Sequence, residues 1–291
     1  MPFLVAEPEV HPMDPSLLAY VLMPVLMKAL TDLNAKGMRW YEARRARCAH
    51  GPALPPGKAD KAVAHSTRAC VYFLVWLTTL PLFVGLMRDH YNLSAPMPLT
   101  FPFRDGAANL RYYRYVGSLF TGLYVTELIT MRRLGCITWL HHLATILGIC
   151  MFSGAVPWLN ANDHSLFVGS AILLMFAHAG NVGFLLPMVG YHLSVDVRRQ
   201  RAFARAALAY GVVVWLVLRP ALCWTWIYLK LGHYQSWAPI VVTLAVDVAT
   251  SCDSVHIVLT LVGIGRRCNR KLRAQALEAP APGAGAAPPA G

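Results

Sequence analysis

Two adjacent histidines, His141 and His142, lie inside the apolar run CITWLHHLATILGICMF, and a glutamate, Glu127, stands at the end of the preceding apolar segment. Ionisable groups within hydrocarbon cost roughly 2.5–3.5 kcal/mol each on insertion scales, so they face a bundle interior or a wet cavity and mark function. A carboxylate beside an imidazole raises its basicity and fixes its tautomer, which suits a general base. The same pairing also serves as a plain hydrogen bond that locks two helices. Both readings stay open at the level of residue types.

Further polar groups sit in apolar surroundings. Thr138, His141, Thr145 and Gly148 fall at i, i+3, i+7 and i+10, one small-and-polar stripe of a helix. His142 lies ~100° round from His141, toward one edge of that stripe. Adjacent histidines rarely serve one site equally, so one acts and the other orients. His178 and Asn181, then Arg219, then Asp247, Asp253 and His256 follow in later segments. Asp253, His256 and Thr260 make one stripe, and Asp247, Thr250, Ser251 and Ser254 make another on a largely different face. Arg219, beside Pro220, needs a counter-ion within the bundle, and Asp247 and Asp253 are its candidates. His178, His256 and Asp253 also have the donor types of a catalytic zinc site. The short local spacings of zinc motifs are absent, so no metal is assigned.

These residues need elements that hold them at depth. The 291-residue chain is 56% hydrophobic and 14% charged, which excludes both an ordinary soluble domain and a disordered one. Apolar runs of spanning length fall at roughly 16–31, 69–87, 115–131, 136–153, 165–189, 206–229 and 237–264. The expected fold is all-α, a polytopic membrane protein of about seven helices, because a lipid-facing backbone must satisfy its own hydrogen bonds. The first run carries Pro24 and Lys28 and is the weakest; as an interfacial helix it would leave six spans. The third run descends to about Met131 and the fourth returns from Cys136. At ~1.5 Å per residue this places Glu127 ~6 Å and the histidine pair ~8–9 Å inside the same face.

The net charge of +12 is a topology signal rather than a nucleic-acid footprint. Of the 26 Lys and Arg, 19 fall in residues 32–68, 132–135, 190–205 and after 264. The alternate segments hold five. That bias sets the N-terminus in the lumen and the C-terminus in the cytosol. Contact of the basic segments with anionic headgroups is a second use. Residues 1–15 carry no Lys or Arg, so they lack the basic start of a cleavable signal. The seven cysteines are all cytosolic or within spans, which leaves no lumenal disulfide framework. A sequon, Asn92-Leu93-Ser94, lies close to the end of the second span. The piece 34–48 reads as a short surface helix with its arginines toward headgroups.

The stretch YVGSLFTGLYVTELITMRRLGCITWLHHLATILGI resembles the TRAM-LAG1-CLN8 (TLC) domain family. The resemblance rests on Tyr124, Glu127, Arg132-Arg133, His141-His142 and Thr145, and on the later segments MFAHAGNVGFLL and VVWLVLRPALCW with Arg219. It implies a six-helix barrel plus one N-terminal helix, around a lipid-accessible cavity in the endoplasmic reticulum. The division is then 1–63, the N-terminus, first span and basic loop; 64–268, the TLC domain; and 269–291, a disordered cytosolic tail. Ceramide synthases of that family transfer an acyl group from acyl-CoA to a sphingoid amine. Their polar signature ending in His-Asp-x-x-Asp is absent after Thr145, where GICMFSGAVPWLNANDHSLF follows. The chain is thus similar to the smaller TLC-domain members.

The expected function is intramembrane lipid handling. As an enzyme, it would be an acyltransferase with acyl-CoA as co-substrate and no other cofactor. His141 or His142 would deprotonate the acceptor amine or hydroxyl, and Glu127 would orient the imidazole. Thr145, His178, Asn181, Arg219, Asp253 and His256 are the candidate substrate-binding residues. The non-enzymatic alternative is a lipid sensor or membrane-composition protein, whose cavity only recognises a headgroup. Membrane lipids are the expected partners in either case, and nucleic acid is not.

Overall fold

The computed structural model describes residues 15–47, 54–55, 57–90, 106–130, 135–153, 161–233 and 237–278. The sequon at Asn92, the Arg132-Arg133 pair, Cys48 and the chain from 279 onward lie outside the described residues. Among the described residues the regular structure is entirely helical. The helices are α1 (Pro15–Arg47), α2 (Lys58–His90), α3 (Gly106–Thr130), α4 (Cys136–Ser153), α5 (Ala161–Ala179), α6 (Val182–Leu193), α7 (Val197–Tyr210), α8 (Arg219–Lys230) and α9 (Ala238–Glu278). A π-helical segment, Gly211–Leu218, joins α7 to α8.

Four stretches among the described residues are long and apolar enough to cross a membrane: Lys58–Met87, Gly169–Leu193, Val197–Lys230 and Ile240–Glu278. A shorter apolar helix covers Cys136–Cys150. Side-chain placement agrees with a membrane-associated protein. Ile129, Trp139, Leu147, Val217 and Leu259 point outward, while Glu127, His141, Arg219, Asp247 and Asp253 are buried. A soluble domain keeps its charges outside and large apolar patches inside. Here several charges are buried and many large apolar side chains lie outside, a pattern that suits lipid contact.

The helices close on themselves. α2 packs on α3, α3 on α4, α4 on α9, α9 on α7, α7 on α6, and α6 back on α2. α5 lies against α2, α8 and α9, and α1 packs against α3 and α2. Phe120, Leu123, Tyr124, Ile172 and Trp226 belong to one apolar core, and the Trp226 indole N–H donates to Ser170 Oγ at 3.1 Å.

Three elements differ from the sequence expectation. The run 165–189 still falls in one stretch of spanning length, Gly169–Leu193, but a turn at Gly180-Asn181 divides it into two helices. The Tyr210 hydroxyl donates to the Gly180 carbonyl, and its ring occupies the space a Cβ at Gly183 would need. Two glycines one turn apart thus let α7 approach where the helix would otherwise continue. The expected surface helix 34–48 is no separate element, because α1 runs unbroken to Arg47. Finally, α9 continues to Glu278, so residues 269–278 of the expected disordered tail are helical. Their Arg, Lys, Leu, Gln, Ala and Glu are strong helix formers, and Pro280 follows.

Candidate functional site

A cavity of about 320 Å³ lies inside the ring, at the end where α3 passes into α4. Glu127, Thr138 and both histidines of α4 line it on one side. His178 and Asn181, at the α5–α6 break, face it from another, and Asp253 and Arg219 from α9 and α8 complete the wall. Helix lengths explain the meeting. Antiparallel α3 and α4 bring Glu127 and the pair to equal depth, and the break turns Asn181 inward.

The two histidines are held differently. His142 Nε2 lies 2.7 Å from Glu127 Oε2, and its Nδ1 lies 2.8 Å from the Thr138 carbonyl. A carbonyl only accepts, so Nδ1 carries a proton. Glu127 Oε1 is 3.2 Å from Arg68 Nε, so the carboxylate also faces a guanidinium. One proton therefore lies between Nε2 and Oε2, and His142 has no lone pair to offer a substrate. It is a positioning residue.

His141 is held at one nitrogen only. Its Nε2 lies 3.0 Å from His178 Nε2, with the rings stacked at 4.8 Å and 18°. In that contact one Nε2 donates and the other accepts. The remaining nitrogen, His141 Nδ1, is buried and has no protein partner. When His141 Nε2–H is the donor to His178, Nδ1 holds the lone pair of a base. Tyr124 meets all three imidazoles edge-on, at 5.8, 4.7 and 6.0 Å from His141, His142 and His178.

The remaining polar groups are mostly spoken for. Asp253 Oδ1 accepts from Thr138 Oγ1 at 2.7 Å. Arg219 takes Asp247, at 3.5 Å, as its carboxylate, and donates to Ser251 at 2.7 Å and Ser254 at 3.2 Å. The second aspartate stripe is thus the one that faces the arginine, through an ion pair whose Nε and Oδ1 make no hydrogen bond. Asn181 turns its oxygen to the Trp215 indole N–H, at 2.8 Å. Thr145 bonds the His141 carbonyl at 2.9 Å and lines a small apolar cavity that adjoins the first through His178.

Among the sequence candidates, Glu127, His141, His142, His178, Asn181, Arg219 and Asp253 share one cavity. Thr145 stands behind it. His256 does not join them: it lies on the same side of α9, about 60° round from Asp253, but is exposed where Asp253 is buried. The donor set His178, Asp253 and His256 is therefore not assembled.

Sequence reasoning missed Arg68 and Tyr72, which also line the cavity. Their signal is a stripe on α2: Lys58, Lys61, His65, Arg68 and Tyr72 follow at helical spacing down one face. His65 lines the cavity and stacks on His192 of α6 at 5.2 Å, and Lys58 Nζ donates to the Ser194 carbonyl at 3.3 Å. A basic path thus leads along α2 to Glu127. The volume suits a reacting centre or a small headgroup rather than a whole lipid.

No family model, curated protein or solved structure matches the chain.

Proposed function

We propose that the chain is a TLC-type membrane protein of the endoplasmic reticulum that transfers an acyl group from acyl-CoA to a lipid amine or hydroxyl. It has seven spans, a lumenal N-terminus and a cytosolic C-terminus. The observation that carries the reading is the buried, unpartnered Nδ1 of His141 inside a polar cavity. In this reaction His141 Nδ1 takes the proton of the acceptor N–H or O–H as that atom attacks the thioester carbonyl. The C–S bond breaks, the thiolate leaves and takes the proton back from the imidazolium, and an amide or ester and free thiol result. His178 supports the base through its ring contact with His141. Glu127 and Arg68 hold His142, and with it the start of α4, in place. Asn181, its oxygen turned to Trp215, keeps its amide N–H₂ group toward the cavity for a substrate oxygen. The α2 stripe offers cations to the anionic donor on its way in.

A lipid sensor is the second reading. It is favoured by the pairing of Arg219 and Asp253 with protein groups, as in a cavity that recognises rather than reacts. The purified full chain, reconstituted in liposomes with labelled acyl-CoA and a sphingoid base or diacylglycerol, separates the two. We expect turnover that falls at least about 100-fold in His141→Ala, the range of a lost general base. Turnover unchanged in His141→Ala would overturn the base assignment. Saturable lipid binding without turnover in the wild type would replace the enzyme with the sensor.

A further inference from the structure

A second basic site lies away from the cavity, where α1 meets the α6–α7 turn. Because α1 runs on to Arg47, it brings Tyr41, Arg44 and Arg45 opposite Leu193–Asp196 and Arg199, which together line a groove of about 410 Å³. Three guanidiniums thus converge from segments far apart in sequence. The carboxylate among them is Asp196, which caps α7 by accepting the Arg198 N–H at 2.9 Å and stands 3.9 Å from Arg199 Nε. It leaves the groove with a net positive charge.

Two details make this more than a solvated basic face. Arg45, a half-buried residue of the groove wall, has a buried Nε with no protein partner, a donor withdrawn from water without an acceptor. Arg44 is held over the Trp40 ring at 5.3 Å, which reduces the freedom it would lose on binding. Like charges gathered by folding repel, and an anion seated between them removes that penalty. Guanidiniums pair phosphate oxygens in bidentate fashion, and three of them exceed what one phosphate can use.

We propose that this groove binds a multiply phosphorylated head, carried by a membrane lipid or by a soluble phosphate ester. Trp40 is 58% exposed beside it, an aromatic anchor of the kind found at headgroup level, which favours the lipid. The site is independent of the acyl-transfer reading, since none of its residues lines the histidine cavity.

The test uses the full chain in phosphatidylcholine nanodiscs, titrated with inositol trisphosphate, and in matched discs containing phosphatidylinositol bisphosphate. Saturable binding is expected in the first, weakened about tenfold or more in Arg45→Ala/Arg199→Ala, which removes charge-assisted hydrogen bonds. Arg198→Ala/Arg205→Ala, at a separate surface site beside Leu272, should stay within about twofold. If the bisphosphate lipid blocks the soluble head, the ligand is a lipid; if the soluble head binds equally in both discs, it is a free phosphate ester. Absence of saturable binding by either probe, or equal losses in the two double variants, would overturn the site.

Discussion

Glu127 accepts from two sides, with Arg68 at 3.2 Å and His142 at 2.7 Å, and the carboxylate is almost wholly buried. Glu127→Gln keeps the shape but turns an amide N–H₂ toward one of two donors. It should lower stability by about 1–3 kcal/mol, the cost of a buried group left unsatisfied. A thermal melt of the purified protein in detergent would show it as a reduced Tm. A Tm equal to wild type would mean that the buried pair does not form. The meeting of Glu127 with the histidine pair was legible in the sequence, because rise per residue sets depth and a short connection sets antiparallel neighbours. Which histidine meets it was not. That depends on the rotation of α3 and α4 about their axes, and rotation is set by packing against α2 and α9.

The break between α5 and α6 is built from Gly180, Gly183 and Tyr210. Gly183→Ala places a methyl into the Tyr210 ring, which is anchored by its hydroxyl and cannot simply swing away. The expected loss is about 1–3 kcal/mol, typical of overpacking. Gly183→Ala/Tyr210→Ala should recover part of it, and a double-mutant cycle on Tm would read the coupling. Additive losses would place Tyr210 elsewhere. Hydropathy gave no sign of this break, since both halves are apolar and glycine is common in membrane helices. The stripe on α2 was hidden for the opposite reason. Lys58, Lys61 and Arg68 made residues 32–68 look like a loop, although Lys and Arg are good helix formers and the helix continues through them.

The ring buries Glu127, Arg219, Asp247 and Asp253 while large apolar side chains such as Ile129, Val217 and Leu259 point outward, which agrees with a membrane-associated protein. The proposed orientation of that ring follows from the uneven distribution of Lys and Arg. Tags at both ends of the chain, probed by protease in sealed microsomes, should give a protected N-terminus and a digested C-terminus. A protected C-terminal tag would reverse the orientation. Protection of neither tag would make α1 an interfacial helix and leave six spans.

Composition and apolar run lengths were enough to establish an all-helical, membrane-associated chain, because hydrocarbon imposes helix on any spanning backbone. They also marked Glu127, the histidine pair, His178, Arg219 and Asp253 as groups that lipid would not tolerate unpartnered. The partners themselves came from packing. Arg219 had two aspartates within reach along α9, and Asp247 is the one whose face turns toward it. His256 shares a helical stripe with Asp253, yet it points outward while Asp253 bonds Thr138. One-dimensional spacing says which residues share a face, but which face looks inward is decided by the other helices of the ring. The division of labour between His141 and His142 has the same origin, because it rests on contacts with Glu127, Thr138 and His178 from both sides of the cavity.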